Sequence, residues 1–285
     1  MVDTLLFPSD YYDMSKVDQD LKMEFDAANS CDLFQIIIFG YDKWFQEEKL
    51  FLNTAPLREV TAVYRGWMMK PCQYEKFYEQ LLQRGIRLIT NPASYERMHI
   101  FPNVYESVRE DTARMRLYPL NAKIDVEEVK RELCPFMVKD YVKSVKGTQF
   151  PKAFGRDITQ EEFDRWMEVF YKYRGELLTG GICLKEFLPL RYYGTKTNEY
   201  RVFYINHLPA AVSKNSAQPN YVSEPPKALI NKYSHLDSPF YTVDFGELKD
   251  GTWKVLEAGD GSVSGLSEGQ DYLHFFRMLY QCFQE

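Results

Sequence analysis

Asp244 and Glu257 lie in two apolar-rich runs, residues 241–249 and 252–258, joined by Asp250-Gly251. An Asp-Gly pair between such runs is a strong hairpin signal. A two-residue turn sets Lys249 opposite Thr252, and counting back then sets Asp244 opposite Glu257. Directly opposed side chains share a face, with Cβ atoms about 4.5–5.5 Å apart. Two carboxylates at that spacing repel unless a divalent cation lies between them. A hard cation such as Mg²⁺ takes one or two carboxylates and completes its shell with water or phosphate oxygens. Asp260, inside Gly259-Asp260-Gly261, offers a third oxygen. The alternative is two solvated carboxylates on an exposed face, or a register moved by a bulge.

Cations suited to a phosphate recur in other strand-like segments. Lys139 sits in residues 136–142 (FMVKDYV), Lys185 in 181–188 (GICLKEFL) and Arg201 in 199–203 (EYRVF). An ammonium in an apolar strand is costly to bury unless it meets an anion. Lys143 shares the face of Lys139 if that strand continues. Each lysine alone also fits an edge strand whose ammonium snorkels to water. Taken with the two acids, the set suits a nucleoside triphosphate and its metal, with cations on phosphates and carboxylates on Mg²⁺.

The elements that must position these groups fall into two kinds. Residues 4–7, 33–39, 60–64 and 86–89 read as strands. A helical stripe at Val17, Leu21, Phe25 and Ala28, and another at Tyr74, Phe77, Tyr78, Leu81 and Leu82, alternate with them. That alternation predicts an α/β layer on a parallel sheet over residues 1–95. From 91 to 120 the pattern weakens at Pro92, Pro102 and Pro119, so a domain connection is expected there. Beyond it come a helix at 125–133, a strand at 135–142 and a mobile loop at 144–154. Thr159 and Glu162 form a capping box that opens a helix. Strands at 182–188, 200–205 and 209–212, a helix from Pro225-Pro226, the acidic hairpin and a final helix follow. Strands joined by hairpins predict an α+β unit on antiparallel sheet over residues 96–285, with lobes at about 121–187 and 188–285.

Composition bounds the rest. The chain has 285 residues, 45% hydrophobic and 27% charged, which is ordinary for a globular protein. Net charge is −6, which argues against a general nucleic-acid footprint while leaving room for a local phosphate site. Five scattered cysteines contain no C-x-x-C pair, so neither a disulfide framework nor a thiolate zinc site is expected, and most should be buried thiols. No apolar run approaches the length of a membrane span. These features predict a soluble, cytoplasmic protein with neither nucleic acid nor membrane as a partner. The four histidines, His99, His207, His235 and His274, show no ligand spacing and read as surface or capping residues.

The order of these motifs resembles an ATP-grasp domain. Residues 64–68 (YRGWM), 138–144 (VKDYVKS), 198–201 (NEYR) and 257–266 (EAGDGSVSGL) resemble a poorly characterised branch of that superfamily, over nearly the whole chain. The resemblance implies a small α/β domain preceding a two-lobed ATP-grasp domain. It matches Lys139 and Lys185 to the lysines at the ATP phosphates and adenine edge; Lys143, on the face of Lys139, is counted with them as a nucleotide-binding candidate. It matches Glu186, Phe187 and Leu188 to the adenine hinge, although Glu186 also reads as a structural strand residue. Arg201 matches the arginine beside the transferred phosphate, so Arg201 and Lys185 are the catalytic candidates. Asp244 and Glu257 match the magnesium carboxylates, and loop 144–154 the flexible loop over the phosphates. Three departures stand out: Gly259 occupies the place of a metal-binding Asn, with Asp260 as its candidate replacement. Val145-Lys146-Gly147 replaces an expected Arg-Lys-His, and Lys185 stands where an arginine is expected.

The activity so implied is an ATP- and Mg²⁺-dependent ligase of the carboxylate–amine type, working through an acyl phosphate on an amino-acid, peptide or protein substrate. The competing expectation is a nucleotide-binding sensor or assembly protein of the same fold without ligation. Arg65, between an apolar strand and Gly66, is the one cation of the first domain singled out. It could bind an acceptor carboxylate across the domain cleft or form an inter-domain salt bridge.

Overall fold

The computed structural model describes residues 2–284. Strands β1 (Val2–Pro8), β2 (Gln35–Phe39), β3 (Val60–Tyr64) and β4 (Ile86–Leu88) form a parallel sheet in the order β2-β1-β3-β4. Helices α1 (Lys22–Ser30), α2 (Tyr41–Glu47) and α3 (Pro71–Gln83) alternate with these strands. The first-layer expectation therefore holds, with one element unforeseen: α2, whose Trp44 is buried among Phe39, Phe45 and Phe77. The predicted first stripe is split. Val17 lies in an isolated bridge to Ser9, ahead of a short 3₁₀ turn and α1.

Residues 91–108, expected to be a weak connection, are two helices: α4 (Pro92–His99) and α5 (Phe101–Val108). Each carries proline in its first turn, and Asn91 caps α4 by accepting from the Ser94 N–H at 2.9 Å. Proline at a helix start lacks only an N–H that would be orphaned anyway. The prolines begin helices here and interrupt none.

Two antiparallel sheets follow. β5 (Met115–Tyr118), β6 (Phe136–Asp140) and β7 (Ile182–Glu186) pair in the order β5-β7-β6. Helices α6 (Val126–Leu133) and α7 (Gln160–Arg174) cover one face, burying Phe136, Val138, Ile182 and Leu184 among Phe163, Met167 and Phe170. The Thr159–Glu162 capping box starts α7 as predicted. After the short pair β8 (Tyr192–Tyr193) and β9 (Lys196–Thr197) comes the larger sheet. It contains β10 (Glu199–Ile205), β11 (Leu208–Lys214), β12 (Phe240–Glu247) and β13 (Trp253–Asp260), in the order β11-β10-β12-β13.

One face of the larger sheet packs Val202, Tyr204, Tyr241, Val243 and Phe245 on α4, α5 and α8 (Lys227–Lys232). Phe203, Ile205 and Phe240 on the other face pack against α9 (Tyr272–Cys282) and the first sheet. The aromatic residues are spread over these cores, as their distribution along the chain implies. Of the cysteines, Cys183 and Cys282 are buried and Cys72 is exposed, so the expectation of mostly buried thiols holds only in part. Among the described residues, no helix is long and apolar enough to cross a membrane.

Candidate functional site

Asp244 and Glu257 are register partners in the β12–β13 hairpin, as counted, but two irregularities produce that result. The turn has three residues, with Gly251 at φ +86° and Leu248 N–H donating to the Thr252 carbonyl at 2.7 Å. Near the turn Gly246 therefore faces Lys254, and Phe245 faces Val255. A β-bulge at Leu256 then inserts one residue and brings Glu257 opposite Asp244. The bulge also turns the Leu256 carbonyl out of the ladder, where it accepts from Lys185 Nζ at 2.7 Å.

The acids do not meet each other unpaired. Arg201, beside Asp244 on β10, holds it through a fork: Nε to Oδ1 at 2.8 Å and Nη2 to Oδ2 at 2.7 Å. Glu257 accepts from Lys139 Nζ at 2.8 Å, across from the smaller sheet. Lys139 pairs with Cys183, and Met137 with Lys185, so Lys139 and Lys185 rise from one face of that sheet. Their ammonium groups both lie over the Phe101 ring, at 5.4 and 4.2 Å from its centroid. The two sheets thus face each other across a charged cleft floored by α5.

Lys143 joins the cleft by a different route from the one expected. The strand stops at Asp140, whose Oδ1 accepts from the Val142 and Lys143 N–H groups, and the chain turns back so that Ser144 bridges Lys139. Lys143 is exposed by its surface area, with its ammonium directed at the cleft's charges, and makes no ion pair among the described residues. Four cations, Lys139, Lys143, Lys185 and Arg201, therefore surround two carboxylates.

Protonation follows from this crowding. Burial alone would raise the Glu257 carboxyl, but Lys139, Lys143 and Lys185 overcome it and hold the group at about 2. Burial depresses Lys139, and Glu257 more than reverses that. Lys185 is depressed to about 7 by burial, with Lys139 adding repulsion. Lys143 is lowered mainly by desolvation of its ammonium among the cleft groups, with Lys139 and Arg201 adding repulsion.

Asp260 is placed elsewhere. It pairs with Tyr241, three residues from Asp244, so strand alternation turns it to the opposite face of the sheet. It is fully buried there. Its Oδ1 accepts from the Ser262 N–H at 2.9 Å, and its Oδ2 has no partner among the described residues. The structure does not bring Asp260 to Asp244 and Glu257. Beside Gly259, on the acids' own face, lie the Thr242 and Ser264 hydroxyls, 2.9 Å apart. Burial raises Asp260 to about 7 against its bonds to Ser262. Because the folded chain then holds this proton more tightly than the unfolded one, stability should fall as pH rises from about 4 to 7. Asp260→Asn is expected to flatten that stretch of the urea-midpoint-against-pH curve. A variant curve that parallels the wild type over this range would refute the buried acid.

Arg65 is also absent from the cleft. It is 1% exposed, and its Nε and Nη2 donate to Glu24 Oε2 at 2.9 and 2.7 Å. It also donates to the carbonyls of Gly261 and Ser264. Neither expected role is what these contacts make: the ion pair joins Arg65 to α1 within residues 1–95, and only the two carbonyl hydrogen bonds reach across to residues 96–285. Glu186 is engaged with Arg114, Nε to Oε2 at 3.1 Å, and the Phe187 N–H donates to the Pro135 carbonyl at 2.8 Å. Leu188 lies two residues past the end of β7. Loop 144–154 is anchored rather than free at its distal end: Phe150 and Phe154 are buried, and Phe154 pairs with Phe136.

Sequence reasoning missed His99. It is 8% exposed, stacked on Tyr95 at 4.9 Å, and burial with Lys143 nearby lowers it to about 4. It is neither a surface nor a capping histidine. Only recognising α4 as a helix packed on β13 would have placed it.

A parallel-sheet layer leading into two antiparallel sheets that clamp a charged cleft is the ATP-grasp architecture. The fold is similar to D-cycloserine synthetase DcsG (14% identity, 98% of this chain and 99% of that one, TM-score 0.62). It is similar to D-alanyl-alanine synthetase A from Vibrio cholerae (11%, 99% and 97%, 0.62). It is also similar to ATP-grasp ligase PsnB complexed with precursor peptide PsnA2 and AMPPNP (10%, 98% and 97%, 0.62). No curated protein sequence matches the chain. A family model described as an ATP-grasp domain, the third family of its clade, matches residues 129–279, more than half of the chain, which therefore belongs to that family.

Proposed function

We propose that the chain is an ATP- and Mg²⁺-dependent ligase of the carboxylate–amine type, acting through an acyl phosphate on an amino-acid, peptide or protein substrate. The observation that carries this reading is the exchange-ready cleft, in which each carboxylate is held by a cation of the kind that binds phosphate. A triphosphate would draw Lys139, Lys185 and Arg201 from their present partners and engage Lys143 as well. That exchange would release Asp244 and Glu257 to Mg²⁺. Two carboxylates suffice for a metal that draws its other ligands from phosphate and water. No cluster of three His, Cys, Asp or Glu suited to a metal exists among the described residues, and Asp260 is not assigned to it. When bound, Mg²⁺ would neutralise charge on the phosphate oxygens.

The chain's own residues do the rest by position and charge. A substrate carboxylate oxygen attacks the γ-phosphorus, the bond to the ADP oxygen breaks, and an acyl phosphate forms. An amine then attacks the acyl carbon, losing a proton, and inorganic phosphate leaves. Arg201 and Lys185, both fixed by backbone carbonyls as well as by their strands, stabilise the transferring phosphoryl charge. Glu186, Phe187 and Leu188 form the strand end at which adenine would lie. We assign residues 1–95 to the preceding domain and 96–285 to the ATP-grasp domain, a division supported by the change from parallel to antiparallel sheets. A cytoplasmic location is consistent with the use of ATP.

Calorimetry with ATP and Mg²⁺, followed by phosphate release over amino-acid and peptide acceptors, tests the reading. Nucleotide binding without turnover on any acceptor would favour a sensor. Lys185 gives a further prediction. Its ammonium must be charged to hold phosphate, and the bound polyanion raises its pKa above about 7. Binding should therefore take up part of a proton at pH 7–8, and affinity should fall as pH rises from about 7. Calorimetry in two buffers of different ionisation heat measures this uptake. Uptake unchanged in Lys185→Met would assign the proton elsewhere.

A further inference from the structure

Strand β11 is the edge of the larger sheet, with β10 between it and the strand of Asp244, and Ser213 is the register partner of Arg201. The Asn215 N–H donates to the Glu199 carbonyl at 2.8 Å, which makes that pair hydrogen-bonded. Antiparallel pairs alternate, so Ser213 and Ala211 bond to β10, while the peptide groups of Val212 and Lys214 point outward. They face a cavity of about 540 Å³. One wall is the turn at Ala217–Asn220, with Ala217 at φ +51°. The other is residues 268–275 at the start of α9, with Glu268, Asp271 and His274 exposed on it.

The side chains along this edge are small. Residues 210–213 read Ala-Ala-Val-Ser, leaving room above and below an added strand. Natural proteins protect such edges with charge or proline, and here Pro209 and Lys214 stand only at the two ends. From the Lys214 end a hydrogen-bonded path leads into the cleft. Ser213 Oγ lies 3.0 Å from Ser267 Oγ, Ser267 reaches Asn215 Oδ1 at 3.4 Å, and Asn215 Nδ2 reaches Asp244 Oδ2 at 3.4 Å. Lys214, bonded to the neutral Asn220 amide, keeps its positive charge at one end of the edge, while Glu268 and Asp271 place two negative charges on the facing wall, so these three charges leave the rim net acidic.

We propose that β11 docks an extended, basic peptide segment by strand addition, and that this peptide is the substrate or carries it. Backbone bonds to Val212 and Lys214 supply affinity, and Glu268 and Asp271 select lysine or arginine side chains. The segment's end beside Asn215 enters the cleft at Asp244. The link to chemistry rests on the ligase reading, whereas docking itself does not.

The probes are a fluorescein-labelled octapeptide of alternating lysine and valine and its glutamate–valine counterpart, titrated by anisotropy into the full chain. The basic peptide should bind and the acidic one should not. Val212→Pro removes an outward N–H while sparing the β10 ladder, and an edge strand tolerates proline. It should weaken binding by about tenfold, the effect of one lost backbone bond. The double variant Glu268→Gln/Asp271→Asn, which retains a helix cap, should erase the preference for lysine. Calorimetric ATP binding should be unchanged in both variants. Failure of the basic peptide to bind, or wild-type binding by both variants, overturns the proposal. A concentration-dependent dimer in sedimentation, abolished by Val212→Pro and indifferent to peptide, would assign the edge to a second copy of the chain and also overturn it. Peptide binding without ATP binding would leave the docking standing and defeat the ligase reading alone.

Discussion

Asp244→Asn is expected to lower ATP- and Mg²⁺-dependent phosphate release by about 10²–10³-fold or more, the scale seen when one preorganised electrostatic group is lost. The substitution keeps the shape of the side chain but removes its charge. Asp244 now accepts both arms of the Arg201 fork. An amide offers one oxygen to that fork and turns an NH₂ toward the other arm, so two donors face each other. In the loaded cleft the same change removes one of the two carboxylates assigned to Mg²⁺. The variant should still fold, because the cores on both faces of the larger sheet lie away from this pair. A partly exposed guanidinium can also turn toward water. Phosphate release at saturating ATP, with far-ultraviolet circular dichroism as the folding check, measures the effect. Full activity in a folded variant would remove Asp244 from the metal site.

The cleft was legible because its members report on themselves locally. A charge inside an apolar strand is conspicuous, and Lys139, Lys185 and Arg201 each stand in one. The Asp244–Glu257 pairing was legible for a weaker reason. The turn is one residue longer than assumed, and the Leu256 bulge, which no residue type announces, restores the count. Lys143 shares the cleft because an Asx turn at Asp140 folds the chain back, and alternation gave the right partner for the wrong geometry. Asp260 failed where local reasoning had to fail. Its distance along the strand decides its face, and three residues from the Asp244 register is an odd step. His99 and Arg65 depend on contacts between distant segments. His99 needs α4 against β13, and Arg65 needs Glu24 and the carbonyls after β13. Neither contact leaves a periodic trace in sequence. The prolines of residues 91–108 were misread because a helix-starting proline and a helix-breaking one look alike until the cap is recognised.

Arg65→Ala should destabilise the chain by about 3–5 kcal/mol, the cost of leaving one partner of a buried ion pair alone. The pair is well enclosed, with side chains 2% and 7% exposed for Arg65 and Glu24. Glu24 Oε1 also accepts from the Leu266 N–H at 3.2 Å, so the carboxylate ties α1 to the segment after β13. Arg65 ties β3 to the same segment through Gly261 and Ser264, and its guanidinium lies 5.6 to 6.0 Å from the rings of Phe203, Phe240 and Phe275. Removing the arginine strands the Glu24 carboxylate and two carbonyls, and it opens a space among three aromatic rings. Replacing both partners, as Arg65→Met/Glu24→Leu, takes away both charges and refills much of the volume. The double variant should therefore lose less than Arg65→Ala alone, because contacting residues are not additive. Urea unfolding of the wild type and the two variants checks this. The segment held by this pair carries Gly265, whose carbonyl fixes Arg201 at 2.9 Å, so the folded fraction of Arg65→Ala should also turn over ATP more slowly than the wild type. An arginine reaching for substrate would show the opposite pattern, with stability near the wild type and a raised KM for the acceptor alone.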